Sequence, residues 1–276
     1  MTHEQKIARW IGPGRTGTEI GPGNSPIPGF IPAPIYVDCF KEFGFEACRA
    51  DYYGHATALP FHDNSLDYVA SSHVLEHVAN PVAALAEWYR VLRPGGIIYL
   101  VVPDRRRTWD RTRKLTPVEH LLDDYIRGTN ACDPTHIDEY AFESDWSASE
   151  SGIGGVGLEK ETLARGMHEA VARGEQINIH FHTFEPENLR DLFETLQTWP
   201  RLRFNWEVID EAEAFPEGNP NGLFLAARVS KGWLDRARAG AFDATAAPDR
   251  RAAVVRPDAR PFDEFARTCT GLGGVA

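Results

Sequence analysis

Residues 66–102 read LDYVASSHVLEHVANPVAALAEWYRVLRPGGIIYLVV. The stretch opens with LDYVASS (66–72), apolar and partly β-branched, which predicts a strand. Asn80 then supplies a side-chain cap, and Pro81 stands at the first helical position, where its missing N–H is no loss. Val82, Leu85, Trp88, Tyr89 and Leu92 recur at helical spacing, so a helix with one buried face should follow, with Trp88 and Tyr89 in the core. RPGG (93–96) closes it. IIYLVV (97–102) is a near-continuous apolar run, the pattern of a parallel strand covered on both faces. Strand, helix and strand in this order predict an open α/β sheet.

Upstream, TGTEI (16–20), IYVD (35–38) and FEACRAD (45–51) predict further strands. The connection between the first two carries Gly21 and Gly23 and then Pro26, Pro28, Pro32 and Pro34. A glycine loop in a dinucleotide fold feeds a helix, whose free N–H groups and dipole hold a pyrophosphate. Proline removes a donor and clashes with the preceding turn, so no ordinary helix is expected here. A ligand held by this loop should therefore need close backbone approach more than it needs a helix N-terminus.

Downstream the strand–helix alternation pauses. TPVEHLLDDYI (116–126) and LEKETLARGMHEAVARG (158–174) predict helices around a polar, glycine-containing stretch. Residues 105–176 are therefore expected to be an inserted lid or substrate segment. INIHFHTF (177–184) predicts a strand, followed by a helix from Pro186 with Leu189, Leu192, Phe193 and Leu196 on one face. RFNWEVIDE (203–211) and GLFLAARVS (222–230) predict a closing antiparallel hairpin. The expected organisation is 1–104 and 177–230 as two parts of one α/β domain, 105–176 as the insertion, and 231–276 as a tail, loosely held after about 240, with a short segment around Phe262 and Phe265.

The chain has 276 residues, 42% hydrophobic and 25% charged, with a formal net charge of −11. That balance disfavours non-specific binding to nucleic acid or to an anionic membrane. One basic run, Arg105-Arg106-Arg107 with Arg111, Arg113 and Lys114, has two readings: a solvated segment, or a grip on a substrate carboxylate or phosphate. No apolar run reaches transmembrane length, and the opening MTHEQKIARW lacks a signal-peptide core. Four cysteines without CxxC spacing fit a reducing cytoplasm. The expected partner is a small-molecule substrate, with no nucleic acid and no membrane; no oligomeric state is read from the sequence.

Three pieces then stand in order: Glu19-Ile20-Gly21-Pro22-Gly23 after the first strand, Asp38 ending the second, and ALPFHDNSLDYVASSHVLEHVANP (58–81) around the fourth. The last, with Leu59-Pro60-Phe61, Asp67 and Val74-Leu75-Glu76-His77, closely resembles the signature of class I S-adenosylmethionine-dependent methyltransferases. VLRPGGIIYLVVPD (91–104) is similar to that family's last parallel strand and its lead-in. The resemblance covers roughly residues 15–104, more weakly 177–230. It implies a Rossmann-like methyltransferase sheet, mostly parallel with a closing antiparallel hairpin, plus a helical insertion or lid, and S-adenosylmethionine as cofactor. That molecule carries no phosphate; its sulfonium and ammonium are positive, so it tolerates the proline bypass and calls for acidic partners.

By the same resemblance Glu19 faces the amino-acid end, Gly21, Pro22 and Gly23 give close approach, and Asp38 pairs with the ribose hydroxyls. The place that usually holds an acid for the adenine is His55 here; the contact is left open between Asp51 and His55, with the Ala56 backbone as neighbour. Ser72 and His73 line the methionine end at the carboxyl edge of the sheet. The implied reaction is methyl transfer to oxygen of a small molecule such as a sugar or secondary metabolite. VPDRRRTWDRTRKLTPVEHLLDDY (102–125) also looks like a bacterial subgroup associated with polysaccharide or secondary-metabolite genes. Two other classes stay open: a cofactor-binding protein without methyl transfer, and a nucleotide-sugar or nicotinamide enzyme on the same sheet.

An alcohol nucleophile needs a base, and histidine suits neutral pH. The candidates are His73, His120, His136, His180 and His182, while His77 reads equally well as a hydrogen-bonded structural residue. His180 and His182, two apart in an expected strand, should face one way. They can line the substrate pocket or, with His136 and Asp138, chelate a metal. A strand pair supplies only two ligands where stable sites use three or more, so no metal is assigned.

Overall fold

Seven strands form one sheet in the order β5-β2-β1-β6-β7-β9-β8. They are β1 (Gly17–Ile20), β2 (Ile35–Asp38), β5 (Tyr52–Tyr53), β6 (Leu66–Ser72), β7 (Leu92–Pro103), β8 (Trp206–Phe215) and β9 (Gly222–Val229). The structure is a computed structural model, and it describes residues 1–43, 46–148, 159–202, 204–232 and 254–261. β1 runs parallel to both β2 and β6, and β6 parallel to β7. β9 joins β7 antiparallel, and β8 closes the edge antiparallel to β9. The order reverses between β1 and β6. That is the switch point at whose carboxyl edge an open α/β sheet opens a ligand crevice. The expected Rossmann-like sheet is present, mostly parallel with its closing antiparallel hairpin.

The central unit forms for the reasons its residues carry. Asn80 accepts from the Ala83 N–H at 3.0 Å and so caps α2 (Pro81–Val91). That helix buries Val82, Leu85 and Trp88 against the sheet. Arg93–Gly96 do not simply end the helix. β7 already begins at Leu92, opposite Leu66, and the next paired residues are Tyr68 and Ile97, so these four bulge outward. Gly95, at φ +82°, makes that excursion possible.

One face of the sheet packs on α2 and on α6 (Pro186–Thr198), through Leu85, Trp88, Leu192, Phe193 and Leu196. The other face is covered by α1 (His3–Trp10), which brings Ile7 against Tyr99 and Phe224. That helix is not predicted from the sequence, although Thr2 and Gln5 form a capping box. Lys6 and Trp10 both reach Asp210 on β8, at 2.7 and 2.6 Å.

Three expectations need correction. FEACRAD does not supply the third sheet strand. Its described ends fall in and beyond a small hairpin of β3 (Glu42–Phe43) and β4 (Glu46–Ala47), and the sheet strand is Tyr52–Tyr53. Asp51 therefore opens that strand and does not end it. INIHFHTF is not a strand either. It bends at Ile179 and His182, meets the sheet through a bridge from Phe184 to Asp104, and gives its Phe181 N–H to the Glu76 carbonyl. The tail is not simply loose. Its described part, 254–261, bridges Phe61 through Val255 and Tyr52 through Pro261, beside the short edge strand β5. The expected segment around Phe262 and Phe265 lies outside the described residues.

Between β7 and α6 the described chain forms short 3-10 turns (105–107 and 109–112), α3 (Val118–Arg127), α4 (Ile137–Glu143), another turn (146–148) and α5 (Lys160–Ala172). α4 and α5 share a small apolar cluster of their own, with Ile137, Tyr140 and Ala164 packed on Ile179 and Phe181, while Leu121 of α3 packs into the main core. No helix among the described residues is long and apolar enough to cross a membrane.

Candidate active site

The loop after β1 makes no helix before β2. Gly21 sits at φ +62°, and a Cβ there would lie 2.5 Å from Cγ2 of Val74. Glycine is required at this point for both reasons. Pro22 accepts from the Ser25 N–H in a turn, and Gly23, at φ +52°, gives its own N–H to Asp38 at 3.3 Å. Asp38 also accepts from the Phe40 N–H at 2.9 Å. Burial raises its carboxyl above the ordinary range, against those backbone bonds. Glu19 lies buried on β1 beside them. One oxygen accepts from the Ile27 N–H at 2.8 Å, the other has no partner, and burial pushes the carboxyl up to about 8.

The structure divides the candidates for the adenine place. Asp51 is occupied with β2, taking the Tyr36 N–H at 3.0 Å. His55 follows β5 in a turn closed by a bridge to Ala58, and burial lowers its imidazole. The Ala56 carbonyl is held by the indole N–H of Trp88 at 3.0 Å. His55 and Ala56 follow the carboxyl end of β5, whereas Asp51 precedes its start.

Ser72 ends β6, and His73 follows it at φ +55°, its N–H bonded to Val101. A non-glycine residue held in that region is strained, and such strain gathers at functional sites. Behind His73 lies Glu76, fully buried, with both carboxylate oxygens lacking a hydrogen-bond partner. The Glu76 carboxylate is 3.6 Å from His73 Nδ1 and 3.8 Å from His77 Nε2. Burial would raise this carboxyl, but His73, His77 and His180 together hold it below its ordinary range. Burial and neighbouring His180 in turn push His77 down to about 4.

His180 and His182 do not face one way. His180 packs edge-on to His77, at 4.6 Å between ring centres, and Nδ1 meets Asp110 Oδ2 at 2.6 Å. His182 turns instead to Asp124 on α3, with Nε2 to Oδ2 at 2.9 Å. The segment lacks a strand's ladder on either side, so alternate residues follow their partners and not a pleat. His136 and His120 gather with His182, whereas Asp138 pairs with exposed His168 at 2.9 Å. The catalytic candidates thus fall into two groups: His73 and His180 around Glu76, and His136 and His182 around Asp124.

The basic run is mostly spoken for. Arg105 pairs with Glu185, Arg106 with Asp104 and Glu213, and Arg111 with Asp145. Arg113 is fully buried and binds Asp110, Glu139 and the His180 carbonyl. The run is mixed: Arg105 and Arg113 clamp internal partners, while Arg106, Arg107, Arg111 and Lys114 remain exposed. Sequence reasoning missed Glu76 as a site carboxylate, although it stands inside the Val-Leu-Glu-His motif. It missed Asp124, whose signal was its place four residues after His120 on a predicted helix. Asp110 carried no signal at all.

Residues 41–100 match a family model described as a methyltransferase domain. A 57-residue stretch is 47% identical to an uncharacterized 37.1 kDa transposon protein of Streptomyces fradiae, covering 21% of this chain and 15% of that protein. A 43-residue stretch is 58% identical to a demethylmenaquinone methyltransferase of Renibacterium salmoninarum, covering 16% of this chain and 18% of the relative. The chain thus spans less than a fifth of the length of either curated relative it matches. Among solved structures, a SAM-dependent methyltransferase of Methanosarcina mazei aligns over 84% of this chain and all of its own, at 19% identity and a TM-score of 0.45.

Proposed function

We propose that this chain is an S-adenosylmethionine-dependent methyltransferase acting on oxygen of a small molecule, such as a sugar or secondary metabolite. One observation carries the reading: a glycine loop without a helix, flanked by the buried carboxyls Glu19 and Asp38, at the switch point of the sheet. The residues suit that cofactor. Gly21 leaves no room for a side chain, the unpartnered oxygen of Glu19 awaits a donor, and Asp38 ends β2 where two hydroxyls can meet it. A pyrophosphate would instead meet two carboxyls and no helix N-terminus.

The cofactor supplies an activated methyl group, so the chain has chiefly to align the acceptor and take its proton. His73 stands at the carboxyl edge, a third exposed, with Nδ1 toward the Glu76 carboxylate. With Nδ1 protonated in that direction, Nε2 is free to accept a hydroxyl proton. Asp110 orients His180 near Glu76 as a positioning pair.

Calorimetry with S-adenosylhomocysteine and NAD tests the ligand, and expects binding of the first only. Asp38→Ala removes charge-assisted bonds of about 1.5–3 kcal/mol, roughly a ten- to hundredfold loss of S-adenosylhomocysteine affinity. Wild-type affinity in that variant would show the ribose to be elsewhere.

A further inference from the structure

The second histidine group lies on the inserted segment, and its four donor atoms converge. His120 Nε2 is 2.9 Å from His136 Nε2 and 3.3 Å from Asp124 Oδ2. His182 Nε2 lies 2.9 Å and His136 Nε2 3.7 Å from the same oxygen. All four atoms fall within 4.8 Å of one another. Ligands at the usual zinc distances of about 2.0–2.1 Å, placed at the corners of a tetrahedron, are about 3.3 Å apart. The measured separations bracket that value.

The rings are arranged as ligands around a point. His120, His136 and His182 meet pairwise at 5.1–5.7 Å between centres, with planes 62–80° apart, so none stacks on another. Outer partners set two of the four. The other oxygen of Asp124 accepts from Thr129 Oγ1 at 2.8 Å, and His136 Nδ1 lies 3.2 Å from Thr135 Oγ1. Such second contacts orient metal ligands. His136 and His182 are buried to within 2% of complete, and Asp124 to within 3%. Only His120 is exposed, so it forms the outer wall.

We propose that His120, Asp124, His136 and His182 form a tetrahedral site for one zinc ion, and that the ion has a structural role. Four protein ligands leave no open coordination position, which separates the site from a catalytic zinc. The ion would tie α3, the residue before α4 and the 177–184 segment together at one point. The next residue but one, His180, and the Phe181 bond to Glu76 are carried by that same segment. The staple therefore holds the insertion against the group around Glu76. It does not depend on the identity of the methyl donor.

The test uses the whole chain purified without chelator. Metal content is expected at one zinc per chain. Chelation should lower Tm, and zinc but not magnesium should restore it. Cobalt added to the chelated protein should give the intense visible absorption of a tetrahedral site. His120→Ala, at the exposed wall, should fold and lose zinc affinity by about tenfold or more, while His168→Ala keeps it. Metal-free protein with unchanged Tm, and no response to zinc or cobalt, would overturn the proposal and leave a hydrogen-bonded cluster. Zinc retained in full by both His120→Ala and Asp124→Asn would place the ion elsewhere and equally overturn it. None of these readouts involves S-adenosylmethionine, so the outcome is separate from that of the calorimetry.

Discussion

At the residue scale, Glu19 is a carboxyl whose pKa the fold raises. Burial raises it from 4.5 to about 8, opposed only in part by the Ile27 N–H and Arg49. Between those values the folded chain binds a proton that the unfolded chain has lost. Its contribution to stability is therefore full below about pH 4.5 and disappears as pH rises toward 8. The slope from this one group cannot exceed about 1.4 kcal/mol per pH unit. Glu19→Gln should flatten the fall of stability between pH 5 and 8, read from urea unfolding at several pH values. An unchanged pH profile would mean that Glu19 ionises normally. The motif marks this residue in the sequence, but its missing partner and its proton follow from the strands on either side of β1.

At the element scale, the insertion is fastened by one arginine more than by the rest of its basic run. Arg113 and Asp110 are both within 1% of complete burial, and Arg113 also binds the carbonyls of His180 and Phe181. Removing it leaves buried Asp110 with His180 alone; breaking a buried ion pair typically costs about 3–5 kcal/mol, and a loss toward the lower end is expected of Arg113→Ala. Arg111→Ala, at an exposed pair with Asp145, should cost less than about 1 kcal/mol. Chemical denaturation of the two variants checks the ranking, and equal losses would refute it. The run RRRTWDRTRK shows six basic residues of like appearance. Which of them becomes a clamp depends on acids from distant positions, such as Glu139, Glu185 and Glu213.

At the scale of the whole molecule, the insertion starts at the carboxyl end of β7, on the same edge as Gly21 and His73. We expect residues 105–176 to bound the substrate pocket, because binding loops gather on that edge. Limited proteolysis within this segment should slow when S-adenosylhomocysteine is added, and slow further with an acceptor. Cleavage rates indifferent to both would make the segment a scaffold only.

Much of the architecture was legible because it rests on local chemistry. Asn80 and Pro81 start α2, Pro186 starts α6, the apolar run 97–102 enters the middle of the sheet, and the prolines after Gly23 forbid a helix. Each effect acts within a few residues, so the sequence by itself determined these elements, the closing hairpin and the order of the cofactor motifs. What it left undecided were contacts between residues far apart in the chain. The third strand proved to be Tyr52–Tyr53, since pairing with Val37 and Asp38 outweighs the pattern of 45–51. His180 and His182 parted because Asp110 and Asp124 draw them to opposite partners across 70 and 58 residues of chain. Only the tertiary structure could decide that, because a side chain's partner is set by which elements pack together and not by its own neighbours in sequence.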